Sequence, residues 1–155
     1  MIPVVEDPLI TKVGVGRRFA ARLIDGLILF VPILVLTIPI AGGFSIGSPN
    51  TGSQQLLASA LGGLLSFGYF VVLEAVHGRT IGKAILGITV RSDEGHPTLD
   101  QAAQRNAFML LAIVPGPLGA LLALGVNAAI ALSISSDPGG RGFHDRFVGV
   151  TVTRV

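Results

Sequence analysis

The chain contains no cysteine, and only 13% of its 155 residues are Asp, Glu, Lys or Arg. Without cysteine, disulfides and thiolate metal sites are excluded, and the redox compartment leaves no mark. A soluble domain usually carries about 25% charged residues. With half of the residues apolar and a mean hydropathy of +0.74, this chain is too apolar for an ordinary water-facing surface. Basic residues exceed acidic ones by little, for a formal charge of +2 and a pI near 9.7. Such an excess fits the basic loops of a membrane protein better than a nucleic-acid site. No nucleophile–base pair and no set of metal ligands stands out. The chain is therefore not expected to be an enzyme, or to hold a metal or cofactor.

What the chain does hold is long apolar runs. Three of them approach or exceed the roughly 18–20 residues that cross a bilayer. The expectation is an integral membrane protein forming one all-α domain over residues 1–155. Residues 1–16, with Pro3, Pro8, Gly14 and Gly16, read as an N-terminal arm. A first membrane helix is expected over 19–41, where Pro32 and Pro39 are tolerated as kinks. Residues 42–53 form an uncharged Gly/Ser/Pro loop, and a second helix follows over 55–76. On that helix Ala58/Gly62 and Ser59/Gly63 are small-x-x-x-small pairs, which let a neighbouring backbone come close. A signal peptide is not expected: the first run is too long, carries Arg22 and Asp25, and lacks a small-x-small cleavage site.

Residues 77–97 are polar, although 85–91 has the β-branched content of a strand and Asp93-Glu94-Gly95 is a turn signal. Thr98, with Gln101 three residues on, reads as a capped helix start. The apolar stretch that follows is interrupted by Pro115-Gly116-Pro117. Residues 98–134 are thus expected as two helices, 98–114 and 118–134, each rising roughly 25 Å. That is a hairpin which barely crosses or re-enters. A tail over 135–155 ends in a second alternating run, 148–155. Basic residues cluster in the arm, in the second loop and in the tail, and the first loop has none. The positive-inside rule then places arm, second loop and tail in the cytoplasm. Three spans would leave the tail outside, whereas two full spans plus the hairpin return it. The same sidedness lets 85–91 and 148–155 pair as a short cytoplasmic two-stranded ribbon. The expected architecture is a small helical bundle, multi-pass in the cell membrane, with both termini cytoplasmic.

Charges inside the apolar runs are the candidate functional residues. At helical spacing Arg18, Arg22 and Asp25 share a stripe of the first helix. Arg22 sits roughly 5 Å inside the expected helix start and is able to snorkel to the headgroups. Asp25, roughly 9 Å inside, has too short a side chain to reach out. A charge near the membrane centre costs about 2.5–3.5 kcal/mol, against roughly 0.3–0.6 returned by each large aliphatic residue. The helix therefore inserts with its polar stripe turned to protein. One reading has Arg22 and Asp25 neutralising each other; the other makes them functional, as intramembrane ionisable residues are by default. Glu74, near the cytoplasmic end of the second helix, is placed to pair with Arg18 or Arg22, to accept protons, or simply to serve as an interfacial carboxylate at a helix end. Arg105 and Asn106 enter the third segment, and the Asn127 amide, midway along the returning helix, needs a partner, as interhelical glue or in the lining of a solute path. Gly78-Arg79-Thr80-Ile81-Gly82-Lys83 lacks the spacing of a phosphate loop. His144-Asp145 reads as a cap for the ribbon or a salt-bridge partner for Arg18.

Taken in order, Arg22 with Asp25, Glu74, Gly82-Lys83 with Gly87, Arg105-Asn106, and His144-Asp145-Arg146 with Gly149 and Thr151 resemble the RDD family of membrane proteins. The likeness runs from Arg18 to Val152. That family is named for one arginine and two aspartates; the resemblance assigns these to Arg22, Asp25 and Asp145. It implies transport of ions or other small ligands, and it makes 78–83 a connecting turn whose basic residues meet lipid phosphates.

Two functions follow as expectations. In the first, the chain is a small transporter with Asp25 and Glu74 as titrating carboxylates and Arg22 as their counter-charge. Four helices can hardly enclose a pore, so membrane lipids and further copies of the chain are the expected partners, with Ala58/Gly62, Gly119/Ala123 and Gly125/Ala129 as contact faces. Asp25→Asn should then abolish flux without affecting assembly. In the second, the chain is an accessory or scaffold protein with a membrane partner, its charges are structural, and removing both Arg22 and Asp25 partly repairs the loss of either. Nucleic acid is expected in neither.

Overall fold

In a bilayer an apolar side chain gains little by turning inward, whereas a polar one has to. The first helix, α1 (Val15–Ile40), follows that rule. In the computed structural model, which describes residues 13–40 and 52–154, the buried residues of α1 are Arg18, Ala21 and Asp25. Its Leu23, Leu27, Phe30, Val31 and Val35 are exposed. The helix begins four residues earlier than the composition of the arm suggests, so Arg22 and Asp25 lie roughly 10 and 15 Å from its start. Of the arm, residues 1–12 lie outside the described residues, as do 41–51 of the first loop.

The second helix, α2 (Gly52–His77), runs antiparallel to α1: Tyr69 meets Asp25 low on the pair, and Gly62 meets Ile33 higher up. A helix N-cap at Thr80 then opens α3 (Ile81–Ile85), followed by strand β1 (Ile88–Arg91). Thr98 and Gln101 form the expected capping box at the start of α4 (Leu99–Asn106). The predicted single helix over 98–114 does not form. Beyond Asn106 the chain tightens into a 3-10 segment, Ala107–Ile113. That winding rises about 2.0 Å per residue instead of 1.5, which extends the reach of a short segment before Pro115 ends it.

After the Pro115–Gly116 turn, α5 (Gly116–Ser136) returns toward the end from which α1 starts, as the contact of Arg18 with Gly140 shows. Helices α1, α2 and α5 are each long and apolar enough to cross a membrane. The ascending arm of the hairpin packs on α2 and ends where Ile113 lies against Gly63. Gly63 stands roughly 16 Å along α2 from Glu74 at 1.5 Å per residue. The hairpin turn therefore sits near half the height of α2. Gly62, offered as part of a face for another copy, meets Ile33 of α1, and Gly63 admits the backbone at Ile113, the close approach expected of its small-residue pair.

The chain closes with α6 (Phe143–Phe147) and β2 (Thr151–Arg154). Strands β1 and β2 pair antiparallel, Val90 opposite Val152, as the expected ribbon. It is shorter than the sequence pattern, because Ile85 belongs to α3. Each short helix turns into its strand through a left-handed glycine, Gly87 (φ 60) and Gly149 (φ 70), where a side chain would be strained. Val13, Ala21, Ile88, Val90, Val148, Val150 and Val152 form a small core under the ribbon. That core fixes the foot of α1 against both strands and so positions the charged residues above it.

Candidate functional site

Five charged side chains from five elements form one alternating chain at the foot of the bundle: Lys83, Glu74, Arg105, Asp145 and Arg18. Lys83 Nζ donates to Glu74 Oε1. Arg105 uses Nη1 on Glu74 Oε2 at 2.5 Å and Nε on Asp145 Oδ1 at 2.6 Å. Arg18 Nη1 donates to the other Asp145 oxygen at 2.6 Å, and its remaining nitrogens donate to the carbonyls of Val13 and Gly140. Asn106 Nδ2 adds a donor to Glu74 at 3.0 Å. None of the five is more than 8% exposed, and both carboxylates are fully buried. Desolvating each ion costs several kcal/mol, and only pairing of this completeness offsets it.

The pairing differs in detail from the sequence reading. Glu74 takes Lys83 and Arg105, not Arg18 or Arg22. Lys83, placed by resemblance in a loop that meets lipid phosphates, is 4% exposed and turned inward; Arg79 of the same turn is exposed. The arginine joined to Asp145 is Arg18 rather than Arg22, because Arg18 is level with the tail while Arg22 is one turn farther up α1. His144 Nε2 lies 3.2 Å from Asp145, and Phe108 and Phe143 pack edge-on around its ring. Burial drives the His144 imidazole down to about 4, with Asp145 opposing that shift only in part. For Asp145 burial favours the neutral acid, yet Arg105, His144 and Arg18 outweigh it and hold the carboxyl below its ordinary range. Burial pulls the Lys83 ammonium down to about 8 against the attraction of Glu74.

Asp25 stands apart from the ionic chain. Its Oδ1 accepts from the Tyr69 hydroxyl at 2.8 Å and the Gly82 amide at 2.7 Å, and its Oδ2 accepts from the Thr80 hydroxyl at 2.6 Å. The N-cap turn of α3 thus closes over the carboxylate. A methyl group on Gly82 would stand 2.2 Å from the Ala21 carbonyl and 2.9 Å from the Asp25 carboxyl, so the approach requires glycine. Tyr69 and Thr80 were not among the candidate residues, and Gly82 and Lys83 entered only through the family resemblance. The available signals were a lone tyrosine in an apolar helix and a hydroxyl residue just before the Gly82-Lys83 pair.

Arg22 is half-buried and forms neither a hydrogen bond nor an ion pair among the described residues, Asp25 included. Its guanidinium lies over the Phe108 ring at 4.7 Å and nears Phe70 at 5.8 Å. It does not snorkel to the end of the helix. Asn127, expected to bridge helices, donates instead to the Ala123 carbonyl of its own helix at 2.7 Å and faces the same space as Arg22. Asn106 Oδ1 and His144 Nδ1 are the buried side-chain polar atoms without a hydrogen-bond partner among the described residues. No group of three His, Asp or Glu able to hold a metal occurs among those residues.

Neither a curated protein nor a solved structure matches this chain. A family model described as RDD family matches residues 12–149. That stretch includes every charged residue of the site, and it joins the apolar helices in marking a multi-pass membrane protein. The chain belongs to the RDD family.

Proposed function

We propose that this protein transports a small anionic solute, which it receives at Arg22. One observation carries the reading. Among the four cations that line one cavity at the foot of the bundle, Lys83, Arg105 and Arg18 are matched by carboxylates, and Arg22 is left without one. An unpaired guanidinium against aromatic rings, away from bulk water, attracts an anion strongly because little else screens it. The carboxylates are poorer candidates for solute contact: Glu74 and Asp145 are occupied by cations, and Asp25 by three donors. The reading needs more than one copy, since a single hairpin and two spans do not enclose a path. Basic residues in the second loop and tail, and none in the first loop, support a cytoplasmic ribbon end in the cell membrane by the positive-inside rule. A reporter fused after Val155 tests that side.

The test of transport is flux into proteoliposomes with chloride, nitrate and acetate as probes. Arg22→Gln should lower anion flux at least tenfold while Asp25→Asn leaves most of it. Absence of flux in the parent protein, or unchanged flux in Arg22→Gln, would overturn the reading. A second reading is favoured by the completeness of the ionic chain: an accessory protein whose buried charges only assemble the foot of the bundle. Purification with one stoichiometric membrane partner, together with no flux, would support it.

A further inference from the structure

Arg22 and Asn127 together line three adjoining cavities of about 310, 370 and 520 Å3. The first reaches down to Lys83, Arg105 and His144. The other two extend upward from Arg22, and one runs along Gly26, Leu29 and Ile33 of α1. In the cavity of about 520 Å3, between α1 and α5, Arg22 and Asn127 are the polar lining residues and the rest are apolar or glycine. Helices α1 and α5 touch over only a small area, so this space is a lateral cleft rather than a closed chamber.

Such a lining offers charge at the foot and hydrocarbon above it. A hydrated inorganic ion meets few partners along that wall, whereas a molecule with an anionic head and an apolar tail matches both parts. The rise from Arg22 to Ile33 along α1 is roughly 16 Å, close to half of the ~30 Å hydrocarbon core. The cleft, taken with the adjoining cavity that continues along α1 to Ile33, is therefore about one leaflet tall. The face of the Arg22 guanidinium is taken by Phe108, which leaves its edge donors for a planar, bidentate contact with phosphate oxygens. Charge points the same way. The region holds the cations Arg18, Arg22, Lys83 and Arg105 against the carboxylates Asp25, Glu74 and Asp145, and so lacks one negative charge.

We propose that the cleft between α1 and α5, with the adjoining cavity that continues it along α1, binds one anionic phospholipid from the leaflet on the ribbon side, its phosphate on Arg22 and one acyl chain lying toward Ile33. The inference rests on Arg22 as the ligand-facing cation, and it concerns the bilayer ligand held there at rest, not the transported solute. A lipid enters sideways from the bilayer, so the site needs no aqueous mouth. Gly26 is where the tail passes: nothing lies within 4 Å of a Cβ placed there.

The experiment is native mass spectrometry of the full-length protein extracted from bilayers containing equal phosphatidylglycerol and phosphatidylcholine. The parent protein should retain phosphatidylglycerol at least tenfold over phosphatidylcholine. Arg22→Gln should bring that ratio near one. Gly26→Leu, which fills the cleft while leaving Arg22 and the ionic chain untouched, should lower retention at least fivefold with unchanged thermal unfolding. Arg79→Gln, an exposed cation outside the cleft, should change nothing. Millimolar inorganic phosphate should fail to displace the lipid; displacement would show a free-anion site and overturn the proposal. Equal retention of the two lipids, or retention unaffected by Arg22→Gln, would also overturn it. The two readings fail separately. Flux lost in Arg22→Gln with lipid retention unchanged sinks the lipid site alone, and Arg22-dependent retention without any anion flux sinks transport alone.

Discussion

Asp25 and Glu74 are both fully buried carboxylates, held by opposite means. Asp25 accepts from two hydroxyls and one backbone amide. Glu74 accepts from an ammonium, a guanidinium and a side-chain amide. The neutral cradle is adjustable, because hydroxyls turn and can accept as well as donate. The ionic one is not, since each partner carries a charge that has nowhere else to go. The difference assigns the two sites different structural duties. Asp25 seats the α3 turn on α1 by shape, while Glu74 and Asp145 bind α1, α2, α3, α4 and α6 together by charge.

The largest effect should come from Arg105, the link between the two ionic carboxylates. Arg105→Gln leaves Glu74 and Asp145 each short of a cation, and breaking one buried pair costs about 3–5 kcal/mol. The variant should fail to accumulate as monodisperse protein in detergent. Glu74→Gln should cost about 3 kcal/mol or more by thermal unfolding, and adding Lys83→Met should recover part of it, because the ammonium no longer sits unpaired. If Arg105→Gln proved milder than Asp25→Asn, the contrast between the sites would collapse.

Acid should sharpen the contrast from another side. His144 titrates near 6.5 when unfolded and about 4 when folded. The unfolded chain therefore binds the extra proton first. Stability is full above the unfolded value and is lost as pH falls through the folded one. By pH 5 the loss should reach about 2 kcal/mol, and Asp145, whose pKa is also depressed, continues the decline at lower pH. Unfolding temperatures in detergent between pH 7.5 and 4.5 read this directly. His144→Gln should flatten the profile in its upper part; an unchanged profile would show that the buried imidazole is not what titrates.

Much of the fold was legible because lipid imposes it. The apolar runs give α1, α2 and α5, Thr98 and Gln101 give the start of α4, and the alternating runs give the ribbon. The inward-facing charged stripe was legible too, because α1 has no other polar face. The pairing was not. Arg18 and Arg22 occupy one helical stripe, and what separates them is the height at which Asp145 returns with the tail, a tertiary fact. Lys83 read as a loop cation because nothing local marks a five-residue helix that swings it under Glu74. The 3-10 segment was hidden because Ala107–Ile113 has good helix formers and its winding answers to packing on α2.

The neutral cradle should yield a smaller change. In Asp25→Asn the amide oxygen keeps Tyr69 and Gly82, and its NH2 donates to Thr80 once that hydroxyl turns. The cost should be about 1 kcal/mol, well below that of Glu74→Gln. Gly82→Ala attacks the same cradle through space instead of charge, and should cost more than Asp25→Asn because the Ala21 carbonyl is backbone and cannot swing aside.

The smallest effect on stability is expected at Arg22, and it separates a working charge from a structural one. Arg22→Gln gives up stacking on Phe108, worth about 0.5–2 kcal/mol, but also removes a cation that no carboxylate neutralises among the described residues. The two terms oppose, so unfolding should shift by no more than about 0.5 kcal/mol, with either sign. Because Arg22 and Asp25 form no ion pair, Arg22→Ala and Asp25→Ala should add without rescue in a double-mutant cycle. A coupling above about 1 kcal/mol would mean that the two do neutralise each other, and would make Arg22 part of the scaffold.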